Sequence, residues 1–113
     1  MSLQPYAEAA PGREDIDALS GPTLVEFGTN WCGHCKAAQP LLEAVISDYP
    51  GVRHIRVEDG KGRRLGRTFG VTLWPTLIFL SDGQEVDRLV RPIEGAVIAE
   101  AFDKWLGREK KGV

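Results

Sequence analysis

The sequence predicts an α/β fold in one domain, with a mixed sheet of four to five strands and helices on both faces. Short apolar segments bounded by turn residues alternate with segments whose apolar residues recur at helical spacing, as in β-α-β units. Residues 81–84 also place Asp-Gly between two strand-like runs, which indicates a β-hairpin. With 113 residues, the chain is long enough to bury one hydrophobic core.

The first half of the chain predicts a short helix, a buried strand and a long helix. The helix covers residues 13–19, and Gly21-Pro22 ends it. Residues 23–27 are nearly all apolar, which is typical of a central strand covered on both faces. Residues 32–49 then follow the 3.6-residue period of an amphipathic helix, with a kink expected at Pro40.

The second half predicts three strands and two helices, in the overall order β-α-β-α-β-β-α. Two β-α-β passages imply parallel pairing with right-handed crossovers, and the hairpin adds an antiparallel edge. Residues 1–12 are rich in Pro and Ala and are expected to be loosely held, with only a weak indication of a strand within residues 3–10. The predicted elements are the strands 52–57, 76–80 and 85–90 and the helices 65–69 and 94–106.

The composition excludes several classes of partner. A net charge of −2 gives no reason to expect nucleic acid or an anionic membrane surface. The longest apolar stretches are far too short to span a bilayer. Residues 1–10 lack the basic and apolar regions of a secretory signal, so a cytoplasmic location is expected. An exported protein whose leader has been removed stays open as an alternative.

The two cysteines stand three positions apart, where the buried strand gives way to the long helix. A cysteine at a helix N-terminus meets unpaired N–H groups and the positive end of the dipole, and both favour the reactive thiolate. Cys32 is therefore expected to be the activated thiol. Cys35, deeper in the same turn, can attack a mixed disulfide formed by Cys32. Gly33 keeps the approach to the sulfur open.

The segment from Trp31 to Lys36, Trp-Cys-Gly-His-Cys-Lys, resembles the active site of the thioredoxin superfamily. Its Cys-Gly-His-Cys form is similar to that of protein disulfide isomerase domains. The resemblance extends over residues 23–106, because Pro40 matches a helix-kinking proline and Trp74-Pro75-Thr76 resembles a cis-proline loop. It implies a thioredoxin fold and a protein disulfide oxidoreductase.

The resemblance also assigns two residues beside the cysteines. Glu26 falls where the family has a buried acid, whose pKa burial would raise and which could take the proton that Cys35 loses. Replacing it with Gln is expected to leave stability unharmed or improved, because a costly buried charge is removed. The alternative is a solvent-exposed carboxylate. His34, when protonated, would stabilise the Cys32 thiolate and thus tune the redox potential. His54 is expected to be structural.

Four residues are assigned to substrate binding. The resemblance implies a cis peptide bond at Pro75, with the backbone before it pairing with an extended substrate segment. Trp31 and Trp74 would frame this docking surface.

Arg91 takes a place where thioredoxins tend to have glycine. The residues before the motif, Gly28-Thr29-Asn30, also depart from the family, which usually has an aromatic-containing stretch there.

The sequence therefore predicts a monomeric thiol–disulfide oxidoreductase that reduces or exchanges disulfides in protein substrates. The resemblance implies recycling by a thioredoxin-reductase-like or other thiol electron donor. No bound cofactor is expected beyond a reversible Cys32–Cys35 disulfide, and no metal, because His34 is poorly placed to share a zinc ion with both cysteines. Two alternatives stay open: an exported protein for disulfide formation or cytochrome maturation, and a binding module of the same fold without turnover.

Overall fold

The structure of the protein, a computed structural model, describes residues 3–107 and has the predicted α/β class. All eight predicted helices and strands are present, with ends that differ by at most three residues. Among the described residues, no helix is long and apolar enough to cross a membrane. The elements are α1 (Arg13–Asp17), β1 (Pro22–Gly28), α2 (Gly33–Ile46), β2 (Arg53–Glu58), α3 (Arg64–Thr68), β3 (Thr76–Ser81), β4 (Gln84–Val90) and α4 (Gly95–Leu106).

The four strands form one mixed sheet in the order β2-β1-β3-β4. Strand β1 pairs parallel with β2 and antiparallel with β3, and β3 pairs antiparallel with β4. The expectation of a second parallel crossover is therefore wrong. Helix α3 has only five residues, about 7 Å of length, whereas a parallel crossover must run back along a strand of about 20 Å. The chain thus stays at one end of the sheet and enters β3 in the opposite direction.

Helices cover both faces of the sheet, as predicted, and each face has its own apolar core. Because side chains alternate along β1, Val25 and Phe27 point to one face and Leu24 to the other. Helices α1 and α3 cover the first face, where Ile16 and Leu65 join the core. Helices α2 and α4 cover the second, through Leu42, Ile98, Ala101 and Phe102. Glu26 points to this second face, beneath the start of α2.

The segment before α1 is held more firmly than its composition indicates. Tyr6 is only 4% exposed, and Ala7 forms an isolated parallel bridge with Val57 at the edge of β2. The Arg56 guanidinium lies 4.0 Å from the centre of the Tyr6 ring and donates a hydrogen bond to the Gln4 carbonyl. The expectation of a loosely held segment is therefore wrong around Tyr6, and the weakly indicated first strand is reduced to this one bridge.

Candidate active site

The two thiols lie at the N-terminus of α2, with Cys32 near the surface and Cys35 buried in the first turn. Cys32 is the N-cap residue, and its Sγ accepts a hydrogen bond from the Cys35 N–H at 3.3 Å. Cys32 is 8% exposed and Cys35 only 1%, and both are present as free thiols. A Cβ added to Gly33 would meet no atom within 4 Å, so the space beside Cys32 is open there. This geometry gives two chemically unequal sulfurs.

The pKa values of the two thiols move in opposite directions. Burial alone would raise the pKa of Cys32, but the Cys35 thiol, the N–H groups of Cys35 and His34, and the positive charge of Arg91 bring it below its ordinary value. Burial, followed by the hydrogen bond to Cys32, raises the pKa of Cys35 to about 11. Near neutral pH, Cys32 is thus the sulfur that more readily becomes the nucleophilic thiolate.

Glu26 is buried beneath the cysteines, 1% exposed, and is bound by three side chains. Arg56 lies directly beside it on β2, and its Nε and Nη2 donate to the two carboxylate oxygens at 2.9 and 3.0 Å. The His54 Nε2 lies 2.9 Å from Oε1, and the Tyr6 hydroxyl donates to Oε2. The alternative of a solvent-exposed carboxylate therefore does not apply.

These partners reverse the expected pKa shift of Glu26. Burial raises the pKa of a carboxyl, as expected from the sequence. The hydrogen bonds from His54, Arg56 and Tyr6 and the Arg56 charge outweigh burial and bring the pKa of Glu26 below its ordinary value. The expectation of a raised pKa is wrong because these donors come beside Glu26 only when β2 and the N-terminal segment pack next to β1. Glu26 is ionised at neutral pH, ready to accept a proton but only weakly basic.

The phenol of Tyr6 stands between Glu26 and Cys35. Tyr6 packs in one apolar cluster with Cys32 and Cys35, and its hydroxyl donates to Glu26. Gly28 makes this approach possible, since a Cβ there would lie 2.6 Å from Cys35 Sγ and 2.8 Å from the Tyr6 hydroxyl oxygen. The glycine that departs from the family pattern thus makes room for Tyr6.

The assigned substrate-binding residues lie together at the rim of this site. The Trp74–Pro75 peptide bond is cis. Trp31 is 71% exposed and meets the Trp74 ring edge-on, with centroids 5.9 Å apart. The Trp74 indole N–H donates to Asp59 Oδ2 at 2.8 Å, which holds the ring in place. The two tryptophans thus form one aromatic corner beside the cysteines.

Arg91 closes the other side of the rim. Its Nε donates to the Trp74 carbonyl at 2.7 Å, and its backbone N–H donates to the Pro75 carbonyl at 2.8 Å. The φ angle of Arg91 is 50°, a conformation that glycine adopts easily and arginine rarely. His34 and Arg91 line the same small depression beside the start of α2.

Four residues of the site were missed or misassigned from the sequence. His54 and Arg56 alternate along β2, so both lie on the face of Glu26 once β1 and β2 pair in register. That alternation of polar residues in a buried strand was the available signal for them. Tyr6 and Asp59 are distant in sequence from the motif, and no local pattern marks them.

Comparison with known proteins agrees with this architecture. The profile of the thioredoxin family matches residues 9–106. The chain belongs to the thioredoxin family. It is 39% identical to thioredoxin of Staphylococcus aureus (strain Mu50) over 95 residues, which are 81% of this chain and 89% of that protein. It is 28% identical to thioredoxin of Synechocystis over 107 residues, 94% of this chain and all of that protein.

A solved structure extends the similarity to three dimensions. Thioredoxin 2 from Pseudomonas aeruginosa PAO1, in its reduced form, is 61% identical, with a TM-score of 0.86 over 93% of this chain and 97% of that one. The thioredoxin fold is thereby confirmed, and so is the predicted activity: the protein is a thiol–disulfide oxidoreductase. Proteins of this family act on protein disulfides together with reductase partners and need no bound cofactor. Within residues 3–107, no group of three or more potential ligand side chains could hold a metal ion.

Proposed function

We propose that this thioredoxin-family protein reduces or exchanges disulfides in protein substrates with Cys32 as the attacking thiolate and Cys35 as the resolving thiol. Cys32 Sγ attacks one sulfur of the substrate disulfide, and the other sulfur leaves as a thiolate. Cys35 then attacks Cys32 Sγ in the mixed disulfide, which releases the second substrate sulfur and forms the Cys32–Cys35 disulfide. An external thiol donor, such as a thioredoxin-reductase-like enzyme, returns the pair to the reduced form.

The difference between the two thiols is the observation that carries this proposal. Burial disfavours the anion of both thiols. At Cys32 the Cys35 thiol, the N–H groups of Cys35 and His34 and the Arg91 charge outweigh it, whereas at Cys35 the hydrogen bond to Cys32 adds to it. With a pKa of about 11, only about one Cys35 in ten thousand is ionised at pH 7. The second step therefore needs a proton acceptor inside the protein.

Glu26 is the acceptor we propose for that proton. It is buried on the same face of the sheet, below the start of α2, and it is ionised at neutral pH. Its low basicity opposes complete transfer, so the proton moves only as the new disulfide forms. His54 contacts Oε1 and is partly exposed, so the proton can pass from Glu26 to solvent along the side chain of His54.

The docking surface we propose is the rim formed by Trp31, Trp74 and the backbone before Pro75. An extended substrate segment would pair with this backbone, in the manner of an added strand. Arg91 and His34 would favour substrates that carry negative charge near the disulfide. We propose that the protein acts as a monomer in the cytoplasm.

An insulin-reduction assay with dithiothreitol tests the proposal. The wild-type protein should accelerate precipitation of the reduced insulin B chain in proportion to its concentration, and Cys32→Ser should abolish the acceleration. A protein of this fold that only binds partners would give no acceleration. Acid quenching and alkylation of cell extracts would then give the redox state of the pair in vivo and the direction of net electron flow.

A further inference from the structure

Tyr6 faces both the resolving thiol and the buried carboxylate. Its hydroxyl donates to Glu26 Oε2, and Tyr6 packs in one cluster with Cys35. The Tyr6 hydroxyl oxygen and Cys35 Sγ lie 2.8 and 2.6 Å from one point, the place that a Cβ of residue 28 would take. The ring is fixed by the Arg56 guanidinium, 4.0 Å from its centre, and lies next to Gly28, where an added Cβ would come within 2.7 Å of it. Tyr6 itself stays protonated, because burial and the neighbouring carboxylate raise its pKa.

We propose that Tyr6 relays the proton of Cys35 to Glu26 during resolution of the mixed disulfide. This inference rests on the proposed function, in which Cys35 is the resolving thiol and Glu26 the acceptor. The Cys35 S–H proton passes to the Tyr6 oxygen while the Tyr6 O–H proton passes to Glu26 Oε2. As the protons move, the sulfur electron pair attacks Cys32 Sγ, the bond between Cys32 and the substrate sulfur breaks, and the substrate leaves as a thiolate.

The relay explains why one hydroxyl can serve both neighbours. Before the step, Tyr6 donates to the ionised Glu26, and its oxygen is free to accept from the Cys35 thiol. After the step, Cys35 Sγ is part of the new disulfide, and Tyr6, which now carries the proton from Cys35, accepts a hydrogen bond from the protonated Glu26. Tyr6 ends the step chemically unchanged, and no oxidant or reductant is needed beyond the substrate disulfide.

The site also shows why the relay belongs to Tyr6 in particular. A side chain at position 28 would occupy the volume between Tyr6 and Cys35 and separate the two polar atoms. With glycine at this position, the phenol of the N-terminal segment enters the site instead. Tyr6 N–H also donates to the Asn30 side chain at 2.9 Å, which anchors the segment beside the motif.

The test follows both half-reactions of the reduced protein with dithiobis-nitrobenzoate, a disulfide whose released thiolate is coloured. Attack by Cys32 releases one coloured thiolate, and resolution by Cys35 releases the second. In Tyr6→Phe, which keeps the ring and loses only the hydroxyl, the second phase should slow at least about tenfold at pH 7, since proton transfer by a positioned group contributes 100-fold or more. The first phase should stay within about twofold of wild type.

A matched control is Tyr49→Phe. The Tyr49 hydroxyl also donates to a carboxylate, Asp103 Oδ1 at 2.6 Å, but Tyr49 packs against the core between α2 and α4 and not in the cluster of Tyr6 and the cysteines. This variant should leave both phases unchanged. The Tyr6→Phe defect should shrink as the pH approaches the Cys35 pKa of about 11, because the thiolate then forms without a relay. In the wild type, the second phase should be slower in heavy water than in water.

Two results would overturn the relay. The first is a second phase in Tyr6→Phe that is as fast as in the wild type. The second is an equal decrease in the rates of both phases at every pH, which would mean that the Tyr6 hydroxyl has only a structural role. Glu26→Gln separates this outcome from failure of the proposed function. If Glu26→Gln slows resolution and Tyr6→Phe does not, only the relay is wrong. If neither variant slows it, Glu26 is not the acceptor.

Discussion

Gly28 and the Tyr6 ring fit together so closely that a side chain at position 28 cannot be added without moving one of its neighbours. A Cβ there would lie 2.7 Å from the Tyr6 ring and 2.6 Å from Cys35 Sγ, both far inside van der Waals contact. This pair connects the N-terminal segment, which precedes the first strand, to the resolving thiol. The contact between Gly28 and Tyr6 therefore limits the size of residue 28 and also holds the Tyr6 hydroxyl near Cys35.

Replacing Gly28 by Ala should cost stability and slow resolution together. Overpacking a buried site of this kind costs about 1–3 kcal/mol, because the Tyr6 ring must move away from Cys35. We expect the midpoint of urea unfolding to fall and the second phase of the dithiobis-nitrobenzoate reaction to slow. Gly51→Ala, where a Cβ meets nothing within 4 Å, is the control and should change stability by less than about 0.5 kcal/mol. Equal behaviour of the two variants would contradict the contact.

Glu26→Gln should destabilise the protein, which reverses the sign expected from the sequence. The change leaves the Arg56 guanidinium, only 6% exposed, without its counter-charge, and breaking a buried ion pair costs about 3–5 kcal/mol. The matched control is Glu85→Gln, which removes a partly exposed pair with Arg88 and should cost less than about 1 kcal/mol. Urea unfolding at pH 7 measures both.

The pH dependence of the Glu26 effect follows from its lowered pKa. A carboxyl whose native pKa is depressed stabilises the fold above its unfolded-state pKa and loses that contribution as the pH falls through its native pKa. The difference between wild type and Glu26→Gln should therefore be largest at neutral pH. It should shrink below about pH 4, as the wild-type carboxyl also becomes protonated. A constant difference down to pH 2 would contradict the assigned ion pair.

Arg91 and Trp74 should restrict the range of substrates. Arg91 Nε donates a hydrogen bond to the Trp74 carbonyl, the acceptor that an extended substrate would use. The double variant Trp74→Ile/Arg91→Gly should therefore reduce several model disulfides faster, and it should raise the pKa of Cys32 because a favourable charge is lost. Arg88→Ala, which removes an arginine of β4 bound by Glu85, is the control. Unchanged rates in the double variant would mean that the rim does not limit access.

The outline of the fold and the identity of the thiols could be predicted from the sequence because both depend on local patterns. Periodicity defined α2 and the strands, and the position of Cys32 at a helix N-terminus follows from where the apolar pattern of α2 begins. The direction of β3 could not be predicted in this way, since it depends on the length of α3 relative to the sheet. The state of Glu26 depends on the pairing of β1 with β2, which brings Arg56 and His54 beside it.

His34 should set the redox potential of the pair. A histidine between the cysteines, when protonated, adds positive charge near the Cys32 thiolate and stabilises the reduced form, although its side chain is exposed and partly screened by solvent. We expect a potential of roughly −200 to −250 mV, between the values of about −180 mV for protein disulfide isomerase and about −270 mV for thioredoxin. His34→Pro should shift it toward thioredoxin. Equilibration against glutathione buffers measures both proteins, and no shift would refute this role.

Trapping of the mixed disulfide tests the central assignment, that Cys32 attacks and Cys35 resolves, most directly. Each single cysteine variant is incubated in its reduced form with a disulfide-bonded protein substrate and then quenched with acid and alkylated. Cys35→Ser should accumulate a covalent complex that dithiothreitol dissolves, because Cys32 still attacks and nothing resolves the product. Cys32→Ser should form almost none, since the Cys35 thiol is buried and its pKa is about 11. A complex that accumulates in Cys32→Ser and not in Cys35→Ser would contradict the assignment.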